Sequence, residues 1–286
     1  MNRTDKQSEW DWQITNNTRW WQLDLREVWT YRNLLARLVR RDFLLSYQQT
    51  LLGPVWTLLQ PLLTVFTYVL VFSKLVGIST GTVPPVLFYL TGTILWGLFN
   101  DVFTGTSTTF TTNADLFSKV YFPRLVMPFA FVSAQLMRLL VQLALLAAFL
   151  IFYSFRTDVT IHLNAWAFAL PGILIVVALL GLAGGLIFSV ITAKYRDLMN
   201  VVPILMRIMM YVTPVIYPMD IIPVKVRWIL AINPMTPMFE LFRYGLLGEG
   251  TFTSAQLVYS LVCTVACLLV GLFLFNKQKD ALMDIL

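Results

Sequence analysis

Charge is what this 286-residue chain has least of. Asp, Glu, Lys and Arg make up 13% of it, against about 25% in an ordinary soluble domain. A surface with so few charges cannot face water on every side, so lipid is the expected solvent. Histidine is reduced to His162, which excludes a two-histidine zinc site or a Ser-His-Asp triad at membrane depth within one chain. Cysteine is limited to Cys263 and Cys267, four apart in one apolar stretch, where they read as small hydrophobes and not as a disulfide or metal framework. The phosphate-binding pattern G-x-x-x-x-G-K-[ST] is missing, and the pair Gly184-Gly185 is not followed by lysine, so ATP hydrolysis by this chain alone is not expected. The first 40 residues lack the apolar core of a cleavable signal, which places Met1 on the cytoplasmic side as an expectation.

Hydrophobic residues make up the balance, at 58% of the chain with a mean hydropathy of +0.71. Uncharged stretches run over 43–73, 75–100, 159–193 and 250–276. Each exceeds the ~20 residues a helix needs to cross a hydrocarbon core. The pattern predicts an all-α integral membrane protein with six transmembrane helices. They run from the turn Gly53-Pro54 to about Val76, from Val86 to Phe103 or on to Thr112, and over Leu125–Tyr153, Trp166–Ala193, Leu198–Tyr217 and Ala255–Phe275. Leu198–Tyr217 is the least regular, because Pro203 and Pro214 interrupt it.

Residues 1–24 form a polar, Trp-rich cytoplasmic or interfacial arm, 25–50 an amphipathic interface helix, and 51–286 the transmembrane domain. In the helix, Val28, Tyr31, Leu35 and Leu38 follow one face, while Arg26, Asn33, Arg37, Arg40 and Arg41 follow the other. Lys and Arg fix the orientation: with both termini cytoplasmic, fourteen fall on inner segments and four, Arg156, Lys225, Arg227 and Arg243, on outer loops. This bias accounts for the net charge of +6 without nucleic acid. The outer segment from Pro218 to Ser254 is too long for a turn and too apolar for a free loop, so short amphipathic helices at the outer leaflet are expected there.

Three charges fall inside predicted spans: Asp101, Arg138 and Arg207. Such groups are costly in lipid and usually face the bundle interior or water. Asp101 and Arg138 lie at similar depth, ~15–20 Å from the cytoplasmic side at ~1.5 Å per residue. Gln135, Arg138 and Gln142 form a polar stripe on one face of the third span. A structural ion pair and a hydrophilic wall both satisfy this placement.

Several strings in order carry a resemblance: Arg40-Arg41-Asp42, with Tyr47 ahead of Leu51-Leu52-Gly53-Pro54-Val55-Trp56; Leu59-Gln60-Pro61-Leu62; Lys119-Val120-Tyr121-Phe122-Pro123-Arg124; Tyr195-Arg196-Asp197-Leu198; and Asn233-Pro234. From about Val28 to the C-terminus the chain resembles the permease subunits of the ABC-2 transporter family that export O-antigen, capsule and teichoic acid. The resemblance implies a homodimer in the bacterial inner membrane, joined by two copies of a cytoplasmic ATPase subunit that binds ATP and Mg. The substrate class it implies is a lipid-linked polysaccharide. It also implies a coupling helix from Asp115 to Arg124, with Asp115, Leu116, Phe117, Lys119, Tyr121, Phe122, Pro123 and Arg124 facing the ATPase, and Arg40, Arg41, Tyr195, Arg196 and Asp197 nearby. The outer segment then corresponds to gate helices between spans five and six.

A translocation path for a glycan needs polar walls without tight sites. Gln60, Asn100, Asp101, Thr104, Gln135, Arg138 and Gln142 are candidate wall residues, and Trp56, Tyr68, Phe99 and Tyr211 candidate stacking surfaces. For those aromatics, lipid interfaces and packing are the competing explanation. The rival readings are a proton-coupled exporter using Asp101 and Arg138, and a membrane enzyme acting on lipid-linked sugars.

Overall fold

The structure is a computed structural model that describes residues 25–45, 53–119, 122–156 and 164–278. The N-terminal arm, Tyr47, Tyr121, His162 and the last eight residues lie outside them. All regular structure among the described residues is helical. Two helices, α1 (Leu25–Thr30) and α2 (Arg32–Leu45), precede the bundle. Then follow α3 (Val55–Tyr68), α4 (Pro85–Ser107), the short α5 (Thr109–Thr112) and α6 (Ala114–Lys119), and α7 (Val126–Arg156). The rest are α8 (Leu170–Lys194), α9 (Val201–Tyr211), α10 (Arg227–Ile232), α11 (Thr236–Leu247) and α12 (Ser254–Gln278).

Five of these helical segments are long and apolar enough to cross a membrane: Val55–Leu75, Pro85–Ser107, Val126–Arg156, Ala165–Lys194 and Ser254–Gln278. The first includes a π-helical end, Val69–Leu75, where the Val76 N–H reaches back to the Val71 carbonyl at 2.9 Å. The remaining expected span differs. Leu198–Tyr217 consists of a 3-10 turn, Arg196–Asn200, and the 11-residue α9, which by itself is too short to cross. Pro203 sits in the first turn of α9, where a missing N–H costs nothing. Pro214 lies where the chain has already left the helix, and the Asn233 side-chain amide donates to the Val212 carbonyl at 3.3 Å.

Two helices form the centre. α4 and α8 run parallel in close contact, and glycines permit the approach. A Cβ added to Gly185 would lie 2.5 Å from the Thr106 Cβ and 2.9 Å from the Phe103 carbonyl oxygen. One hydrogen bond ties the same pair, from the Thr192 hydroxyl to the Ser107 carbonyl at 2.6 Å. On the other face of α8, Gly271 of α12 approaches the Ala183 carbonyl. α3 and α7 run antiparallel to α4 at its flanks, and α2 packs on the first turns of α7 through Leu38, Val39, Val126, Met127 and Ala130.

The bundle therefore has two distinct ends. The near end carries α2, the start of α3, α5, α6 and the turn at Arg196–Asn200. The far end carries the loop 77–84 and everything from Val212 to Thr253. There α10 and α11 occupy the segment expected to hold short helices. α11 differs from a surface helix, since all of its residues except Tyr244 are buried. Gly248 ends it in the left-handed region at φ 76°, with its N–H on the Tyr244 carbonyl at 3.1 Å. Beyond it Glu249 accepts from both the backbone N–H and the hydroxyl of Thr82, which joins two loops 167 residues apart in sequence.

Candidate functional site: a polar cavity between three helices

Polar side chains from three helices converge on a cavity of about 170 Å³. α3 supplies Trp56, Thr57 and Gln60 from its first turns, α4 supplies Leu98 and Asp101, and α7 supplies Gln135, Arg138, Leu139 and Gln142. Helical spacing explains the convergence: positions i, i+3 and i+7 of α7 present one polar stripe, and Asp101 stands three residues from Leu98 on α4. Asp101 accepts from the Asn100 amide at 3.1 Å, and Arg138 Nη1 donates to Gln135 Oε1 at 3.3 Å. Asp101 and Arg138 thus line one cavity, among amide side chains that can each donate and accept.

Six of the candidate path residues, Trp56, Gln60, Asp101, Gln135, Arg138 and Gln142, meet here, and Asn100 touches the cavity's carboxylate. Thr57, Leu98 and Leu139 also line it, and helix spacing next to Trp56, Asp101 and Arg138 is the signal that identifies them. The other four candidates lie elsewhere. Phe99 is buried in an aromatic ladder with Trp96 and Phe103. Tyr68 donates to the Met210 sulfur at 3.5 Å and packs edge-on to Tyr89. Tyr211 is exposed and its carbonyl accepts from the Tyr217 hydroxyl. The Thr104 carbonyl accepts from the Ser107 hydroxyl within α4.

The described residues 115–119 and 122–124 and their neighbours sit at the near end. Phe122 is 5% exposed and stacks on Phe117 with ring centroids 5.5 Å apart, inside the cluster that α2 and α7 form. Leu116 and Phe117 pack on the same cluster. These apolar members hold α6 in place, while Asp115, Lys119, Pro123 and Arg124 have outward-facing or partly buried side chains. Arg40 is exposed, and Arg41 pairs with Asp42 at 2.8 Å. Tyr195, Arg196 and Asp197 are exposed on the turn after α8, with the Lys194 ammonium 5.3 Å from the Tyr195 ring centre. Tyr121 lies outside the described residues.

At the far end a charged pair that the sequence left unremarked is buried in α11. Arg243 Nη1 lies 3.7 Å from Glu240 Oε1, its Nη2 donates to the Val215 carbonyl at 2.9 Å, and its guanidinium sits 3.8 Å from the Phe88 ring centre. Glu240 Oε2 accepts from the Thr251 N–H at 2.9 Å. Desolvation lowers the Arg243 guanidinium to about 10, against the pull of Glu240. The i, i+3 spacing of Glu240 and Arg243 in an apolar segment is the signal for the pair.

The family model for the ABC-2 type transporter matches residues 33–247. The chain is 29% identical over 258 residues to the O-antigen export system permease protein RfbA of Klebsiella pneumoniae, covering 89% of this chain and 95% of that one. It is 27% identical to the RfbA permease of Myxococcus xanthus, covering 90% and 96%. To the polysialic acid transport protein KpsM of Escherichia coli it is 22% identical, covering 81% and 88%.

Proposed function

The chain belongs to the ABC-2 type transporter family, and from that premise we propose that it is the membrane subunit of an ATP-driven exporter of a lipid-linked cell-surface polysaccharide such as O-antigen. One observation carries the reading: similarity to O-antigen export permeases extends over 95% of the Klebsiella relative's length and 89% of this chain, so it spans the whole membrane domain and not a shared fragment. The cavity between α3, α4 and α7 supports it, since it offers amide and charged groups to hydroxyls without enclosing them.

In this reading the working unit is a homodimer in the inner membrane with two cytoplasmic ATPase subunits that bind ATP and Mg. The near end is cytoplasmic, both termini lie there, and α9 with its preceding turn makes a sixth crossing in contact with the second copy. The exposed Arg40, Arg41, Tyr195, Arg196 and Asp197, together with Asp115, Lys119 and Arg124 beside α6, receive the ATPase. Nucleotide-driven closure of the ATPase pair shifts α6, which is rooted on α2 and α7 through Phe117 and Phe122. α7 carries Gln135, Arg138 and Gln142, so the same motion reaches the cavity wall. Capsule or teichoic acid export is the alternative cargo for the same machine, and KpsM, at 22% identity, gives capsule the weaker support.

The test is export in cells expressing the chain with its ATPase partner. We expect surface glycan to disappear when the partner's catalytic carboxylate is removed and to persist when the proton gradient is collapsed at constant ATP. Export that follows the proton gradient and survives an inactive ATPase overturns the reading.

A further inference from the structure

A cavity of about 540 Å³ at the far end belongs to none of the assigned parts. It is lined from the 3-10 turn at Met219–Ile221, α10, α11 and the first turn of α12, and Trp166 reaches it from the turn before α8. That volume falls in the ~300–1,000 Å³ range of small-ligand sites. Two of the segments long and apolar enough to cross a membrane, Ala165–Lys194 and Ser254–Gln278, begin here, with Trp166 and Gln256 in their first turns. A cavity at the start of two crossings lies where hydrocarbon gives way to headgroups, the level at which Trp and Tyr collect. Ile221, Val224 and Trp228 are exposed around the same turn and offer apolar contact to lipid.

The cavity wall holds one charge of each sign, Asp220 and Arg227, and the two side chains do not pair. Arg227 Nε donates to the Ile222 carbonyl at 2.9 Å and its Nη2 to the Asp220 backbone carbonyl at 3.2 Å, which leaves Nη1 without a partner among the described residues. The Asp220 carboxylate is exposed and accepts from no donor among them. The neighbouring charges are already committed. Glu249 accepts from Thr82, Glu240 accepts from the Thr251 N–H, and Arg243 is buried against Glu240 and the Val215 carbonyl. An anion and a cation therefore face one cavity, fixed on one turn and each open to a ligand.

A ligand that answers both groups carries a positive and a negative charge a short link apart. The headgroup of a zwitterionic aminophospholipid does so: its phosphodiester suits the guanidinium, and its ammonium suits the carboxylate. The aromatic wall adds to the second contact. Phe252 lies 5.6 Å from Trp166 and 5.3 Å from Tyr244 at interplanar angles of 79° and 72°, so these rings do not stack and leave faces that attract a cation. An anionic headgroup such as phosphatidylglycerol supplies the phosphate alone. It leaves Asp220 unmatched beside a second negative charge.

We propose that this cavity is a headgroup site for a zwitterionic aminophospholipid, with Arg227 on the phosphate and Asp220 on the ammonium. The site requires a protein in a membrane and holds whatever cargo the transporter carries. In the experiment the full chain is purified in detergent, stripped of lipid and titrated with dioleoyl phosphatidylethanolamine or dioleoyl phosphatidylglycerol, and native mass spectrometry reads the first lipid bound. We expect phosphatidylethanolamine to bind about ten-fold more tightly, the order of one charge-assisted hydrogen bond. Asp220→Asn should remove that preference, Asp220→Lys should reverse it because the reversed charge repels the ammonium, and Asp220→Glu should keep it. The Asp220 side chain is exposed, so these variants keep the fold, and an unchanged melting curve checks this. Lipids that merely coat the spans respond to none of these changes. Equal binding of the two lipids to the wild-type chain, or a preference that survives Asp220→Asn, overturns the site. Glycerophosphoethanolamine, the same headgroup without acyl chains, tests the source: if an equal concentration of it displaces the lipid, a lipid is not the occupant.

Discussion

Burial sets the protonation of Glu240. The residue is 5% exposed, and desolvation raises its carboxyl above the ordinary 4.5, although the Arg243 charge and the Thr251 N–H pull it down. The folded protein thus holds this proton more tightly than the unfolded chain. The stability it contributes is fully present below about pH 4.5 and is lost as pH rises through the raised folded-state value. We expect the thermal midpoint of the detergent-solubilised protein to fall with rising pH across that window, and Glu240→Gln to flatten the slope; equal slopes would show that Glu240 does not titrate there. Asp101 allows a second test at the same scale. If it is a wall residue, Asp101→Asn retains export, whereas a proton relay predicts complete loss, and surface glycan measured per transporter distinguishes the two.

At the scale of elements, the α4–α8 contact depends on the absence of side chains. Gly185→Leu drives a branched chain into Thr106 and Phe103 and should cost about 1–3 kcal/mol, read as a lowered melting temperature. The α6 segment separates rooting from docking. Phe122→Ala empties a buried aromatic site and should destabilise by roughly 3–5 kcal/mol, whereas Lys119→Ala, at an exposed side chain, should leave the melt unchanged and lower glycan-stimulated ATPase activity. The long spans were legible because stretches such as 255–275 are uncharged, apolar and long enough to cross. α9 was less so: Pro203 and Pro214 signal a break, but the place where the helix stops depends on Asn233 reaching Val212 from twenty-one residues away. α11 is buried more deeply than a helix at the outer leaflet, because Glu240 and Arg243 look like solvent-facing charges until Arg243 Nη2 is seen on the Val215 carbonyl and Glu240 Oε2 on the Thr251 N–H. The polar stripe of α7 was readable from spacing alone, while the gathering of Trp56 and Gln60 against it depended on how α3 packs.

The whole molecule leaves its flanks uncovered. α4 and α8 are the most enclosed crossings, whereas the first span has 6% of its apolar window buried, with Phe66 66% exposed. α9 likewise presents Val201, Ile204 and Ile208 outward. A second copy closing over α3 and α9 would also enclose the cavity beside Trp56. In a chain with Cys263 and Cys267 replaced by Ser, Phe66→Cys or Ile204→Cys should cross-link in membranes to twice the 32.8 kDa of one chain; a cysteine at Phe168, exposed but away from α3 and α9, is the control that should not. The stitch between Thr82 and Glu249 has a mechanical consequence for such an assembly. Together with the Ser260 hydroxyl on the Pro234 carbonyl and Arg243 on the Val215 carbonyl, it fastens the cap to the heads of α4 and α12. An outlet that opened at this end would have to move these segments together or break the bonds that join them.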